Sequence, residues 1–155
     1  MKEKLQEYAL IAEIVSAVAI VASLIFVGIQ IQHNTRISQV NAYQELSTQI
    51  MNLNVVNATN TDLSELIYKA LQGQKLNEIE SFRMTQVIIP VIRHGDMAFL
   101  QYQQGYITKA QFDGTLGPFK AVMNAPVFKQ SWEVMKLNVN PLFVDYMESN
   151  IFPRN

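Results

Sequence analysis

The side chains here that could carry chemistry are few and scattered. His33 and His94 are the only histidines, and cysteine is absent. Without thiols a disulfide, a thiolate metal site, an iron–sulfur cluster and a cysteine nucleophile are all excluded. The stretch His94-Gly95-Asp96 sets an imidazole and a carboxylate close together in sequence. On a helix, residues i and i+2 point apart, so these two meet only where the helix is irregular. A metal there would need His94, Asp96 and one further carboxylate, yet no E-x-x-H pattern or paired-histidine spacing supports one. A structural or surface role for His94 is the expectation. His33 lies just past an apolar run, where an interfacial or capping role is commoner than ligation. Glu13, inside that run, completes the set of candidate functional polar groups. A reaction would require His94, Asp96 and Arg93 or Glu133 to converge in a cleft.

No familiar reaction signature is present. There is no G-x-S-x-G elbow, no phosphate-binding G-x-x-x-x-G-K-[ST] and no G-x-G-x-x-G. The carboxylates do not fall into pairs that would divide acid and base roles. No catalytic residue, cofactor or metal is expected, and the chain does not read as an enzyme. Charged residues make up 16% of the sequence and the net charge is −1, against about 25% charged in an average domain. The 12 Asn and 14 Gln together outnumber the charged residues, so amides carry the polarity. With no basic run to neutralise phosphates, nucleic acid is not an expected partner.

The elements that must position these groups start from residues 8–31, YALIAEIVSAVAIVASLIFVGIQI, which hold one charge, Glu13. Crossing a bilayer core of about 30 Å takes about 20 helical residues, and this run meets that. A signal peptide has an apolar region of only about 7–15 residues and a basic start; here the tail mixes Lys2 and Lys4 with Glu3 and Glu7. A buried helix is a poorer fit, because so long an uncharged run is unusual in so small a domain. Ala9, Ala12, Ser16, Ala19 and Ser23 step by three and four, which sets them on one face. Membrane helices associate through small residues that allow close backbone approach, so this stripe is the expected helix-packing interface. Glu13 borders the stripe, close enough to one end to snorkel to the headgroups.

The run is expected to continue as one long helix of about 45–50 residues, with Ile37, Val40, Tyr43, Leu46, Ile50 and Leu53 facing inward; the alternative is a break near His33–Thr35. Residues 57–62 read as a turn, with Asp62 and Glu65 marking the next helix start. Leu63, Leu66, Ile67, Ala70 and Leu71 give a short helix ended by Gly73. Asn77 with Glu80 is a capping box that opens a helix to about Gln104, kinked at Pro90 and closed by Gly105. Thr108 with Gln111 opens a helix from Ala110 to Ala125, weakened at Gly114 and at Gly117-Pro118, where it is open to splitting. Pro126 starts another, carrying Phe128, Trp132, Met135 and Leu137. Asn140-Pro141 starts the last, with Leu142, Phe143, Tyr146 and Met147. The aromatic residues Phe99, Tyr102, Tyr106, Phe112, Phe119, Phe128 and Trp132 fall at helical spacing and are expected to pack as core, with Gln101, Gln103 and Gln104 on a solvated face.

The fold expected is all-α: a tail at 1–7, a transmembrane helix at 8–31, a stalk or first domain helix at 32–57, and a small helical bundle at 58–155. The positive residues flanking the span differ by one, which leans to an N-terminus inside.

Two stretches bear a likeness to known proteins. SAVAIVASLIFVGIQIQHNTRISQVNAYQ (16–44) pairs an apolar span with Gly28, Gln30, Gln32 and Asn34-Thr35. FLQYQQGYITKAQFDG (99–114) is followed by Pro126, Trp132 and Asn140-Pro141-Leu142-Phe143. In these, the chain resembles a widespread set of uncharacterised bacterial membrane-anchored proteins. The resemblance covers most of the chain and implies architecture without mechanism. It also implies a bacterial cytoplasmic membrane and a C-terminal domain in the cytoplasm, opposite to the charge count. Members often carry Arg where this chain has Gln32, so orientation stays open at this point. The expected function is an interaction or scaffolding subunit that meets lipid and either other membrane subunits or a second copy. The alternative is a membrane-tethered sensor with a small-ligand pocket near Pro90 and His94.

Overall fold

The computed structural model describes residues 2–123 and 125–152, with backbone alone at 3, 118 and 121. Residue 1 of the expected tail, Asn124 and residues 153–155 of the expected bundle lie outside the described residues. Every described regular element is helical: α1 (Lys2–Thr59), α2 (Thr61–Leu71), α3 (Glu78–Gln103), α4 (Lys109–Val122), α5 (Pro126–Met135), a 3-10 turn at Lys136–Asn138, and α6 (Pro141–Asn150). The all-α class read from periodicity is the one that forms. The chain divides into two compact units, Met1–Ser38 and Gln39–Asn155, and α1 contributes to both.

The first unit is helix throughout its described residues, and it is exposed on every face. The alternative break at His33–Thr35 does not occur; the Thr35 hydroxyl donates to the Ile31 carbonyl at 2.9 Å. Ser16 does the same to Ala12 at 2.7 Å. Such bonds satisfy a hydroxyl within its own helix when no other partner is present.

The second unit is organised around α3, against which α2, α4, α5 and α6 pack. Local chemistry fixes where each helix starts and stops. The Asn77 side chain accepts from the Glu80 N–H, and the Glu80 carboxylate accepts from the Asn77 N–H, both at 2.8 Å. Thr108 and Gln111 repeat this reciprocal cap at the head of α4. Gly73 and Gly105 take φ of 67° and 74°, the left-handed region that favours glycine. In each case the glycine N–H and the following N–H bond back to the final turn, at Ala70 and Lys69 and at Tyr102 and Gln101, which closes off otherwise unpaired carbonyls. Pro90 sits inside α3 and removes the donor for the Gln86 carbonyl. Both residues are exposed, so water can reach that carbonyl and the helix continues on both sides.

Four expectations are corrected. The cap of α2 is Asn60, whose side chain accepts from Leu63 N–H at 3.0 Å; Asp62 falls instead in the first turn, where its charge complements the helix dipole. The reversal takes one residue because α1 runs to Thr59, and the Ser64 hydroxyl donates to the Asn57 carbonyl across it. Second, the inward face of α1 in this unit is Ala42, Leu46, Gln49, Ile50 and Leu53, while Val40 and Tyr43 stay 50% and 40% exposed. The two sets share Leu46, Ile50 and Leu53, and Gln49 on the packed face meets His94 of α3. Third, α4 ends at Val122 and is not split at Gly114 or Gly117-Pro118; Ala125 belongs to the start of α5. Fourth, Leu137 and Leu142 are 81% and 54% exposed. The first sits in the 3-10 turn and the second in the first turn of α6, outside the buried face set by Phe143 and Met147.

Candidate functional site

The small residues Ala9, Ala12, Ser16, Ala19 and Ser23 all lie on α1 in the first unit and are all exposed. Helical geometry sets them on one face. Glu13 is exposed beside them and makes no ion pair among the described residues. Around them the large apolar residues of the span are also uncovered, from 48% exposed at Val27 to 66% at Leu24. Among the described helices, α1 alone is long and apolar enough to cross a membrane.

His94 is 3% exposed, between α3 and the end of α1. Its Nδ1 lies 3.3 Å from Gln49 Oε1, and Gln49 Nε2 donates to Glu45 Oε1 at 3.3 Å. An amide oxygen only accepts, so Nδ1 is the protonated nitrogen of a neutral ring. That leaves the Nε2 lone pair bare in the interior, with no partner among the described residues. Burial holds the imidazole below its ordinary pKa.

Asp96 points elsewhere, and its carboxylate accepts from the Asn140 N–H at 3.2 Å. It therefore braces α3 against the head of α6. Arg93 donates to the Asn138 carbonyl at 2.5 Å, and Glu133 pairs with Lys136 at 2.8 Å. The four residues that a reaction would need thus reach four different partners. Among the described residues no three His, Asp or Glu side chains are placed to hold a metal ion.

Most of these aromatic residues pack in the core, as their spacing suggested. Tyr102 stacks on Phe112 at 5.1 Å and 3°, and Trp132 meets Phe143 edge-on at 6.0 Å and 81°. Phe143 and Tyr146 of α6 complete the cluster around Phe99, at 5.7 and 5.6 Å. Tyr106 is outside it, 41% exposed. Gln101 is half-buried, its Oε1 without a partner among the described residues, rather than on the solvated face. Gly95 makes this packing possible, since a Cβ there would lie 2.9 Å from Phe119 Cζ and 3.0 Å from Phe143 Cζ. Sequence reasoning missed that role, although a glycine in a helix interior is itself a signal of close approach.

The second unit also holds a partly open apolar pocket of about 160 Å³. Ile50 of α1, Ala70 of α2, Val87, Ile88 and Val91 of α3, and Phe119 of α4 contribute to its wall. It flanks Pro90 in sequence, but His94 does not border it. No signal in the sequence separated these wall positions from ordinary core, because both are apolar at helical spacing. No family model, curated protein or solved structure matches the chain.

Proposed function

We propose that this chain is a single-pass membrane protein whose second unit works as an interaction or scaffolding module, within a larger membrane assembly or a homo-oligomer. The observation that carries the reading is the contrast between the units. The second unit buries a continuous apolar core, down to 0% exposed at Ile92, Phe112 and Phe143, whereas none of the apolar side chains at 14–31 is buried. Leaving a large aliphatic side chain in water forgoes about 1.5–3 kcal/mol of burial, so this helix calls for lipid or another chain. The small-residue face is the surface assigned to a neighbouring helix. The likeness to bacterial anchored proteins supports a cytoplasmic membrane with the helical unit on the cytoplasmic side. The reading assigns no reaction and no cofactor.

The absence of native cysteine makes the test clean. Full-length protein in membranes is extracted with alkaline carbonate, and recovery in the supernatant would sink the anchor. Single-cysteine variants Ser16→Cys and Ser23→Cys are then oxidised beside Val18→Cys on the opposite face. Cross-linked product at the two serines alone supports the assigned face; equal yields at all three sites, or none together with a monomeric native mass, would sink it.

A second reading, a membrane-tethered small-ligand-binding module, has one observation in its favour: the apolar pocket beside Val87, Ile88 and Val91.

A further inference from the structure

We infer that the pocket of the second unit binds an uncharged, largely hydrocarbon molecule about the size of one aromatic ring. The inference rests on the small-ligand reading above and is independent of the membrane anchor. Size sets the first limit. A volume of about 160 Å³ is close to the roughly 150 Å³ apolar cavity that stays dry and accepts benzene.

The wall sets the chemistry. Among the described residues, Asn54 and Asn57 are the only polar ones in its wall, and no Lys, Arg, Asp, Glu or His borders it. A charged ligand would lose its hydration there and gain no counter-ion. Water fares little better, because an ordered buried water needs two to four polar partners. An apolar ligand replaces missing dispersion contacts at no such cost. A single hydroxyl or carbonyl is tolerated at the amide edge.

The pocket is also accessible and preformed. Its floor is buried, with Met84, Ile88, Phe119 and Phe128 at 6%, 4%, 0% and 2% exposure. Its rim includes the exposed Asn54 and Leu71, so a ligand enters without unfolding the domain. Two of its walls, α2 and α3, are tied together by the Lys69–Glu80 ion pair at 2.7 Å, which reduces the ordering that binding must supply.

The test uses full-length protein in lipid nanodiscs with labelled methionine methyl groups. Met84 borders the pocket, whereas Met135 and Met147 are buried elsewhere in the same unit and act as internal controls. Toluene is titrated in parallel with benzoate, a charged ring of similar size. The expected result is a saturable shift of Met84 with toluene, no response to benzoate, and neither control moving. Ala70→Phe fills the pocket and abolishes the Met84 response while Met135 and Met147 keep their positions. If those controls show that this variant misfolds, Val91→Phe fills the pocket from α3 and is held to the same criterion. A Met84 response to benzoate alone overturns the ligand class and leaves the small-ligand reading standing. No response to either molecule overturns both. A toluene response that survives in a folded pocket-filling variant overturns the location.

Discussion

Replacing Gly95 with alanine tests how α3 meets the aromatic core. The added methyl would sit 2.9 and 3.0 Å from two atoms of the Phe119 ring and 3.0 Å from Phe143 Cζ. Carbon atoms prefer about 3.5–4.0 Å, so both rings must retreat by roughly 0.5–1 Å. Phe143 has the less room of the two, because Phe119 also borders the apolar pocket. Phe119 and Phe143 are both 0% exposed, and Phe143 is braced by Phe99 at 5.7 Å and Trp132 at 6.0 Å. Overpacking of this kind costs about 1–3 kcal/mol, partly offset by about 1 kcal/mol of helix propensity gained on leaving glycine. Gly114 in α4 isolates that second effect, because nothing lies within 4 Å of its added Cβ. Gly114→Ala should stabilise by about 1 kcal/mol, so the two variants should differ by about 1–3 kcal/mol. At about 4 °C per kcal/mol for a unit of this size, the gap in melting midpoint is roughly 4–12 °C. Trp132, the single tryptophan, sits against Phe143 and reports unfolding of the second unit by its own fluorescence. Equal, stabilising shifts in both variants would refute the close approach of the two rings to α3.

The remaining predictions concern charge, caps and the span. Because burial lowers the pKa of His94, the unfolded chain binds its proton more readily than the folded one. Stability is therefore unaffected by this group above the unfolded value of about 6.5 and falls as pH drops below it, by at most about 1.4 kcal/mol per pH unit. Urea midpoints read by Trp132 at pH 7.5 and 5.5 should separate in the wild type and converge in His94→Gln; an unchanged separation would remove His94 as the cause. Asn77→Ala removes one half of the reciprocal cap on α3 and should cost about 1 kcal/mol, while Asn77→Asp should retain most of it; the same fluorescence melts check both. Ile20→Arg places a charge near the middle of the exposed apolar run, where insertion scales assign about 2.5–3.5 kcal/mol. The fraction released by alkaline carbonate should rise, and full membrane retention would argue against the span.

Much of the second unit was legible because its punctuation is local. Asn77 with Glu80, Thr108 with Gln111, the two left-handed glycines and the proline starts at 126 and 141 each act within a few residues, so spacing alone identifies them. The misreadings share a different cause. Asp62 and Asn60 are both competent caps, and the choice depended on how far α1 ran before turning. Val40 and Tyr43 precede Leu46 at successive steps of three, each of which drifts about 60° around a helix and carries them off the face that packs. Leu137 and Leu142 are apolar residues beside helix boundaries, where a shift of one turn changes which side faces the core.

By itself the sequence determined the all-α class, the uncharged run long enough to cross a bilayer, the absence of thiol chemistry and the positions of most helix ends. These follow from composition and from interactions within a turn or two, which the order of residues contains directly. The tertiary structure alone decided that His94, Asp96, Arg93 and Glu133 go to separate partners, that Gly95 exists to admit Phe119 and Phe143, and that an apolar pocket lies beside Pro90 and not at His94. Each of those depends on which helices meet and at what distance, and apolar residues at helical spacing look the same whether they fill a core or line a cavity.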